Sequence, residues 1–278
     1  MASYKITPVS RALGARISGV DLSKPIDTKL QQEIYADFVK YQALVFPDQN
    51  LTPKDHIRIA GYFGKPTTND DLLSMSLKDY PEVLTIENDE LRPPGADFWH
   101  TDQCARTTPS KATLLYAIKT PSIGGDTMVL NMHTAYETLS PTMQKMLEGL
   151  TCIHSEKKAF GEEFAKIQNM LVKKGIDPYA TFSKKEDVFH PLIAEHQESK
   201  RKTLWISYPH IKKIKELNDK ESHALLSFLY RHSEMQEFMY RHVWNEKDLL
   251  IWDNRCTQHL GVADYFPEYR LLHKITVT

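Results

Sequence analysis

The sequence predicts a mostly β chain, a jelly-roll barrel flanked by helices, organised as one domain over residues 1–278. Three observations predict it. Short apolar runs bounded by turn residues recur along the chain and read as strands. Amphipathic helical patterns are few and come mostly early. The 278 residues are 41% hydrophobic, enough for one large core.

Asp27 or Thr28 is placed to cap a first helix carrying Leu30, Ile34 and Phe38 at helical spacing. "YQALVFPDQ" then reads as a buried strand. "LTPKDHIRIAGYFG" predicts a second helix, with Thr52 as N-cap, Pro53 in the first helical position and Gly64 at its end. "PEVLTIEN" and "KATLLYAIKTP" read as strands, and "SIGGDTMVLNM" as a turn entering another. "SPTMQKMLEGL" repeats the Ser-cap, Pro-first pattern at Ser140 and Pro141, and Gly149 stops it.

Residues 155–187 are rich in lysine and glutamate and read as an excursion from the core, either a solvated surface helix or a lid over a site. "VFHPLIAEH" and "RKTLWISYP" are predicted to pair as a hairpin. "NDKESHALLSFLYRH" is an amphipathic helix, with a capping box at Asn218 and Glu221 and Leu225, Phe228 and Leu229 on one face. "FMYRHVW", "DLLIWDN" and "YRLLHKITVT" close the chain as strands.

The formal charge of -1 and the lack of any long basic block argue against a nucleic-acid partner. No apolar run reaches the roughly 18 residues of a membrane span, and the first residues do not read as a signal peptide. The cysteines, Cys104, Cys152 and Cys256, are three in number and form no CxxC pair, so neither a disulfide framework nor a thiolate zinc site is expected. A cytoplasmic protein follows as the expectation.

The chemistry starts at "FWHTDQC". In an extended segment His100 and Asp102, two apart, point the same way and can converge on one ion. Alone, such a pair reads first as a surface turn, and Trp99 before it as a packing residue. A distant second histidine changes the balance. His259 lies in "LLIWDNRCTQHLG", just past an apolar strand, where polar residues would sit at a barrel mouth. Two histidines and one carboxylate form the facial triad of non-heme Fe(II) oxygenases, leaving positions open for a chelating 2-oxoacid and for O₂. A zinc hydrolase more often uses three histidines or a helical histidine pair. Such a cosubstrate also needs an anchor for its far carboxylate. Arg270 supplies a planar fork, carried back beside the metal if "LGVADYFPEY" joins two neighbouring strands. The Thr127 hydroxyl offers a second grip.

Taken in order, "WHTD", "GGDT", "IWDNRCTQH" and "YRLLHK" resemble the taurine dioxygenase / 2,4-D dioxygenase family of Fe(II)- and 2-oxoglutarate-dependent oxygenases. "GARISGVDLSKPI" and "TAYETLSPTMQKMLEGL" extend the likeness over nearly the whole chain. The resemblance implies a double-stranded β-helix core, cupin-like, with His100, Asp102 and His259 as iron ligands. It implies 2-oxoglutarate held by Arg270 with help from Thr127, and O₂ as the second cosubstrate. The implied reaction hydroxylates an aliphatic C–H and yields succinate and CO₂.

The resemblance leaves the primary substrate open. Lys274 stands where the taurine enzyme has a second arginine, keeping the charge but losing the fork. Asn69 stands near that enzyme's substrate histidine, Ala96 replaces its asparagine, and His210 replaces a pocket aromatic, whereas Phe160 matches. Asn69, Phe160, His210 and Lys274 are therefore the candidate substrate-binding residues. The expected substrate is a small anion, carboxylate or sulfonate. A taurine, alkylsulfonate or aryloxyalkanoate dioxygenase proper and a biosynthetic tailoring oxygenase on an amino-acid-derived intermediate are the alternatives. A metal-dependent hydrolase and an idle metal-binding jelly roll are the rivals outside the class, and neither needs Arg270 with Thr127. A homo-oligomer, dimer or tetramer, is expected on frequency alone.

Overall fold

The computed structural model describes residues 4–95, 97–159, 172 and 185–278. In chain order its strands are β1 (Lys5–Pro8), β2 (Ala15–Ser18), β3 (Ala43–Phe46), β4 (Pro66–Thr67), β5 (Ser76–Leu77), β6 (Tyr80–Asn88), β7 (Ala112–Lys119), β8 (Thr127–Asn131), β9 (Thr151–His154), β10 (Val188–Pro191), β11 (Ile193–Glu195), β12 (Lys202–Leu204), β13 (Ile211–Ile214), β14 (Met239–His242), β15 (Leu249–Asp253), β16 (Thr257–Gly261) and β17 (Arg270–Val277). The helices are α1 (Thr28–Tyr41), α2 (Pro53–Ala60), α3 (Met132–Glu137), α4 (Pro141–Leu147), α5 (Glu156–Ala159) and α6 (Asp219–Ser233).

The large sheet runs β1-β2-β3-β15-β7-β17-β6-β5, with β4 on the end of β17. A smaller sheet, β14-β8-β16, forms the opposing wall, and β10-β9-β13 and the β11-β12 hairpin extend that side. This is the expected jelly roll with helices outside. All five residues of β15 are buried because both faces of the large sheet are covered. Strand alternation divides them between two cores. Leu249 and Ile251 join Leu44, Phe46, Leu114, Ile275 and the helix residues Phe38 and Ile59. Leu250 and Trp252 face the other way, into the barrel, with Val45, Leu115, Val129 and Leu272.

The helix caps follow the sequence. Asp27 accepts from the Leu30 N–H at 2.8 Å, and Thr52 with Asp55 closes a capping box on α2. Asn218 and Glu221 do the same for α6. Three local readings are corrected. Helix α2 stops at Ala60, short of Gly64. Gly64 instead lets the backbone pass the C-terminal strand: a Cβ there would lie 2.6 Å from the Thr278 carbonyl oxygen. The predicted hairpin is half right, since Ile193–Glu195 pairs with Lys202–Leu204 while Val188–Pro191 pairs with β9. On α6 the buried apolar residues are Leu226 and Leu229, and Phe228 is 38% exposed.

His259 lies inside β16, a short strand that follows the apolar one, paired with Val129 of β8. One further expectation shifts. Strands β16 and β17 are not neighbours, because the connection before Arg270 crosses from the small sheet to the large one. Most of the 155–187 excursion, with Phe160, lies outside the described residues, as does Ala96. No helix among the described residues is long and apolar enough to cross a membrane.

Removing the α2 cap by Thr52→Ala should cost about 1 kcal/mol. Gly64→Ala should cost about 1–3 kcal/mol through overpacking against the last strand. Chemical denaturation of both variants checks the pair, and an unchanged midpoint for Gly64→Ala would refute the close approach.

Candidate active site

His100 lies outside any strand yet pairs with β16. Its N–H donates to the His259 carbonyl at 3.0 Å, and the His259 N–H donates to the His100 carbonyl at 2.8 Å. This bridge brings the two imidazole centroids to 4.1 Å. The side chain of the next residue, Thr101, points away and donates to the Thr257 carbonyl at 3.0 Å. Asp102 returns to the histidines, with a carboxylate oxygen 3.8 Å from Nε2 of each. The donor atoms of His100, Asp102 and His259 all lie within 4.8 Å of one another.

These donors are held in usable states. His100 Nδ1 sits 2.9 Å from the Phe98 carbonyl. A carbonyl only accepts, so Nδ1 carries the proton and Nε2 keeps its lone pair. Burial pushes the pKa of both imidazoles down, keeping them neutral. Burial opposes ionisation of Asp102, but the Lys274 ammonium outweighs it and holds the carboxyl well below the usual range. Neutral imidazoles with an ionised carboxylate suit divalent iron. His259 Nδ1 is buried without a partner among the described residues, and the Trp252 ring packs 4.5 Å from its imidazole.

Asp102 is aimed by hydrogen bonds whose direction is settled by proton supply. The Trp252 indole can only donate and does so to Asn254 Oδ1 at 3.0 Å. The Asn254 amide then faces its Nδ2 to Thr113 Oγ1 at 2.8 Å and Ser110 Oγ at 2.9 Å. Each hydroxyl passes its own proton on: Thr113 to Asp102 Oδ2 at 2.7 Å, Ser110 to the Asp102 carbonyl at 2.9 Å. Lys274 Nζ donates to the other carboxylate oxygen, Oδ1, at 2.5 Å.

A cavity of roughly 250 Å³ opens beside this cluster and is lined by His100, Asp102, Lys274 and Arg270, with apolar walls from Leu84, Ile86 and Phe98. Arg270 opens β17, is 6% exposed, and holds its guanidinium 5.4 Å from the Tyr265 ring centre. Its Nε has no hydrogen-bond partner among the described residues. Gly125, at φ +70°, makes room for it, since a Cβ there would press on Arg270 Cδ and the Tyr265 ring at 3.2 Å. Thr127 is buried at the start of β8, opposite Gly261 of the cavity wall. Its Oγ1 accepts from the Trp244 indole at 3.0 Å, leaving the hydroxyl proton to donate.

Of the candidate substrate residues, Asn69, His210 and Lys274 line this cavity. Asn69 Oδ1 accepts from Arg106 at 3.2 Å. His210 stays neutral, its pKa pushed down to about 3 by burial, with Nδ1 3.1 Å from Ser207 Oγ. Sequence reasoning missed Thr113, Asn254, Tyr265 and Arg106. The asparagine stood in view within "WDNR", but only the fold brings it beneath Asp102.

A second group of donors, His196, Asp253 and Cys256, is as closely spaced. Its lone pairs are taken. Asp253 receives Arg255 Nε at 2.8 Å, Arg255 Nη2 at 2.6 Å and His196 Nε2 at 3.0 Å, while His196 Nδ1 accepts the Ser199 N–H at 3.1 Å. Burial pushes the Cys256 thiol far up, so it stays protonated.

Residues 5–276 match the model of the family described as Taurine catabolism dioxygenase TauD, TfdA family. The chain belongs to this family. An alkylsulfatase of Acinetobacter baylyi is 28% identical over 274 residues, spanning 95% of this chain and 82% of that protein. The alpha-ketoglutarate-dependent 2,4-dichlorophenoxyacetate dioxygenase of Cupriavidus pinatubonensis is 29% identical over 274 residues, spanning 93% and 92%. The crystal structure of a taurine dioxygenase from Burkholderia xenovorans has a TM-score of 0.83 at 30% identity, covering 99% of this chain and 89% of that one. As a TauD/TfdA-family protein, the chain is an Fe(II)- and 2-oxoglutarate-dependent dioxygenase that consumes O₂.

Thr113→Val removes the proton given to Asp102 Oδ2 at nearly constant volume. Calorimetric titration with Mn(II) should show affinity lowered about tenfold. Asn254→Asp, which turns donors into acceptors, should cost as much, and the double variant no more than either alone. Additive losses would mean that the two residues act separately.

Proposed function

We propose that His100, Asp102 and His259 hold the iron, and that Arg270 with the Thr127 hydroxyl anchors the far carboxylate of 2-oxoglutarate. The observation that carries this reading is Arg270: a buried guanidinium with an unpartnered nitrogen, in the cavity that also reaches His100 and Asp102. A buried cation is costly unless an anion joins it. Neither a zinc hydrolase nor an idle jelly roll has use for one here.

The bound iron would supply O₂ activation, coupled to decarboxylation of 2-oxoglutarate to succinate. The rest is the work of this chain's residues. His100 and His259 present neutral nitrogens, and Asp102 one ionised carboxylate steadied by Thr113. Arg270 and Thr127 fix the cosubstrate by charge-assisted contacts. The apolar walls limit water around the reacting carbon.

The substrate we propose is a small anion with an apolar body, hydroxylated at an aliphatic carbon or next to a heteroatom. The cavity supports this, joining the Arg106 cation to Leu72, Leu84, Ile86 and Phe98. The relatives act on sulfate esters and a chlorophenoxyacetate by name, which favours the same range of anions. Asn69, His210 and Lys274 depart from the taurine pattern, so taurine itself is disfavoured. The family match over residues 5–276 supports reading the chain as one catalytic domain. The free, buried Cys104, Cys152 and Cys256 suit a reducing compartment such as the cytoplasm. A homo-oligomer, dimer or tetramer, rests only on how common symmetric assemblies are.

Fe(II) and 2-oxoglutarate added without oxygen should produce a weak visible charge-transfer band, absent in His100→Ala. Arg270→Ala should weaken 2-oxoglutarate binding more than tenfold, since breaking a buried charge-assisted pair costs roughly 2–5 kcal/mol. Unchanged cosubstrate affinity in Arg270→Ala would remove its assigned role.

A further inference from the structure

The cation expected to read the substrate, Lys274, is already committed, because its ammonium lies 2.5 Å from Asp102 Oδ1. Arg106 is differently placed. It lines the same cavity and also borders a surface cleft formed by Ala105, Thr107 and residues 185–190, so it stands where the cavity meets the surface. Its backbone is pinned on both sides. The Arg106 N–H donates to the Gln103 carbonyl at 3.2 Å, and the Arg106 carbonyl accepts from His190 Nε2 at 2.9 Å.

Its guanidinium is only partly used. Nη2 donates to Asn69 Oδ1 at 3.2 Å and lies 4.0 Å from Asp71. Asp71 is in direct contact with Lys185, which neutralises it. Glu156 lines the same cavity but makes no hydrogen bond or ion pair with Arg106 among the described residues, and burial pushes its carboxyl up. Nε and Nη1 of Arg106 make no hydrogen bond among the described residues. An arginine can only donate, so the Asn69 amide must turn its oxygen to Arg106, and its Nδ2, without a partner among the described residues, is a further donor. Two guanidinium nitrogens and one amide nitrogen thus make a donor set matched to an oxyanion. Leu72, Met75, Leu84, Ile86 and Phe98 lie along the same cavity, an apolar path for the body of the ligand.

We propose that Arg106, with Asn69, binds the anionic head group of the primary substrate where the cavity opens, and that Lys274 serves Asp102 instead. This rests on the reading of the cavity as the oxygenase active site. It makes Arg106 the specificity-determining cation. It also sets the head group at the cavity entrance and the carbon to be hydroxylated further in, toward His100.

The test is anaerobic calorimetry on the Fe(II)- and 2-oxoglutarate-loaded protein with hexyl sulfate, hexane-1-sulfonate and phenoxyacetate, and with hexan-1-ol as the uncharged control. At least one anion should bind the wild type. Arg106→Gln should weaken that binding tenfold or more, and Arg106→Lys should restore most of the sulfate affinity but less of the carboxylate affinity. Hexan-1-ol should bind wild type and Arg106→Gln alike, and 2-oxoglutarate affinity should stay within twofold. Three results would each overturn the proposal: no anion binding the wild type, Arg106→Gln binding anions as the wild type does, or 2-oxoglutarate affinity falling in parallel. A missing charge-transfer band in the loaded wild type would instead count against the active-site reading itself.

Discussion

The site depends on one pair of backbone hydrogen bonds, those joining His100 to His259. Residue 100 belongs to a connection between strands of the large sheet, and residue 259 to β16 in the small one. Two N–H groups facing two carbonyls fix the distance between the main chains, and the imidazoles follow. Without that bridge the ends of a long loop would have to find each other anew, and the closure entropy would fall on whatever joins the two imidazoles. With it, folding has already met that cost. Asp102, two residues on from His100, then only has to reach a carboxylate across a short gap.

Strand β15 serves this arrangement twice. Trp252 packs its ring against His259 and gives its indole proton to Asn254, from which the bonds lead to Asp102. One buried side chain therefore supports a histidine by contact and a carboxylate by hydrogen bonding. The alternation of the strand makes this possible, because Leu249 and Ile251 face the outer core while Leu250 and Trp252 face inward. The donor cluster is rigid for the same reason that the barrel is stable.

What could be read from the chain divides along physical lines. Caps at Asp27, Thr52, Ser140 and Asn218 were legible because they are local chemistry between residues two or three apart. The long apolar strands were legible because burial on both faces imposes composition. Short strands such as β1, β9 and β13 were not, because a four-residue segment with mixed exposure has no period to detect. The convergence of His100, Asp102 and His259 could be anticipated from motif order. The commitment of Lys274 to Asp102 could not, since strand register decides it. Nor could the half-used guanidinium of Arg106, which depends on Lys185 reaching Asp71 from a distant segment.

The second cluster, at His196, Asp253 and Cys256, has a bearing on which metal the protein acquires. Imidazole, carboxylate and thiol at close range form a softer set than the triad, and zinc and copper outbind iron on most such ligands. An open cluster of this kind would collect the wrong ion during folding. Arg255 prevents it by occupying both oxygens of Asp253, while burial keeps the thiol protonated. The lone pairs that a second ion would need at this cluster are thereby taken. Protection of this second cluster against an ion lies in its own packing, through the Arg255 contacts to Asp253 and the burial of Cys256.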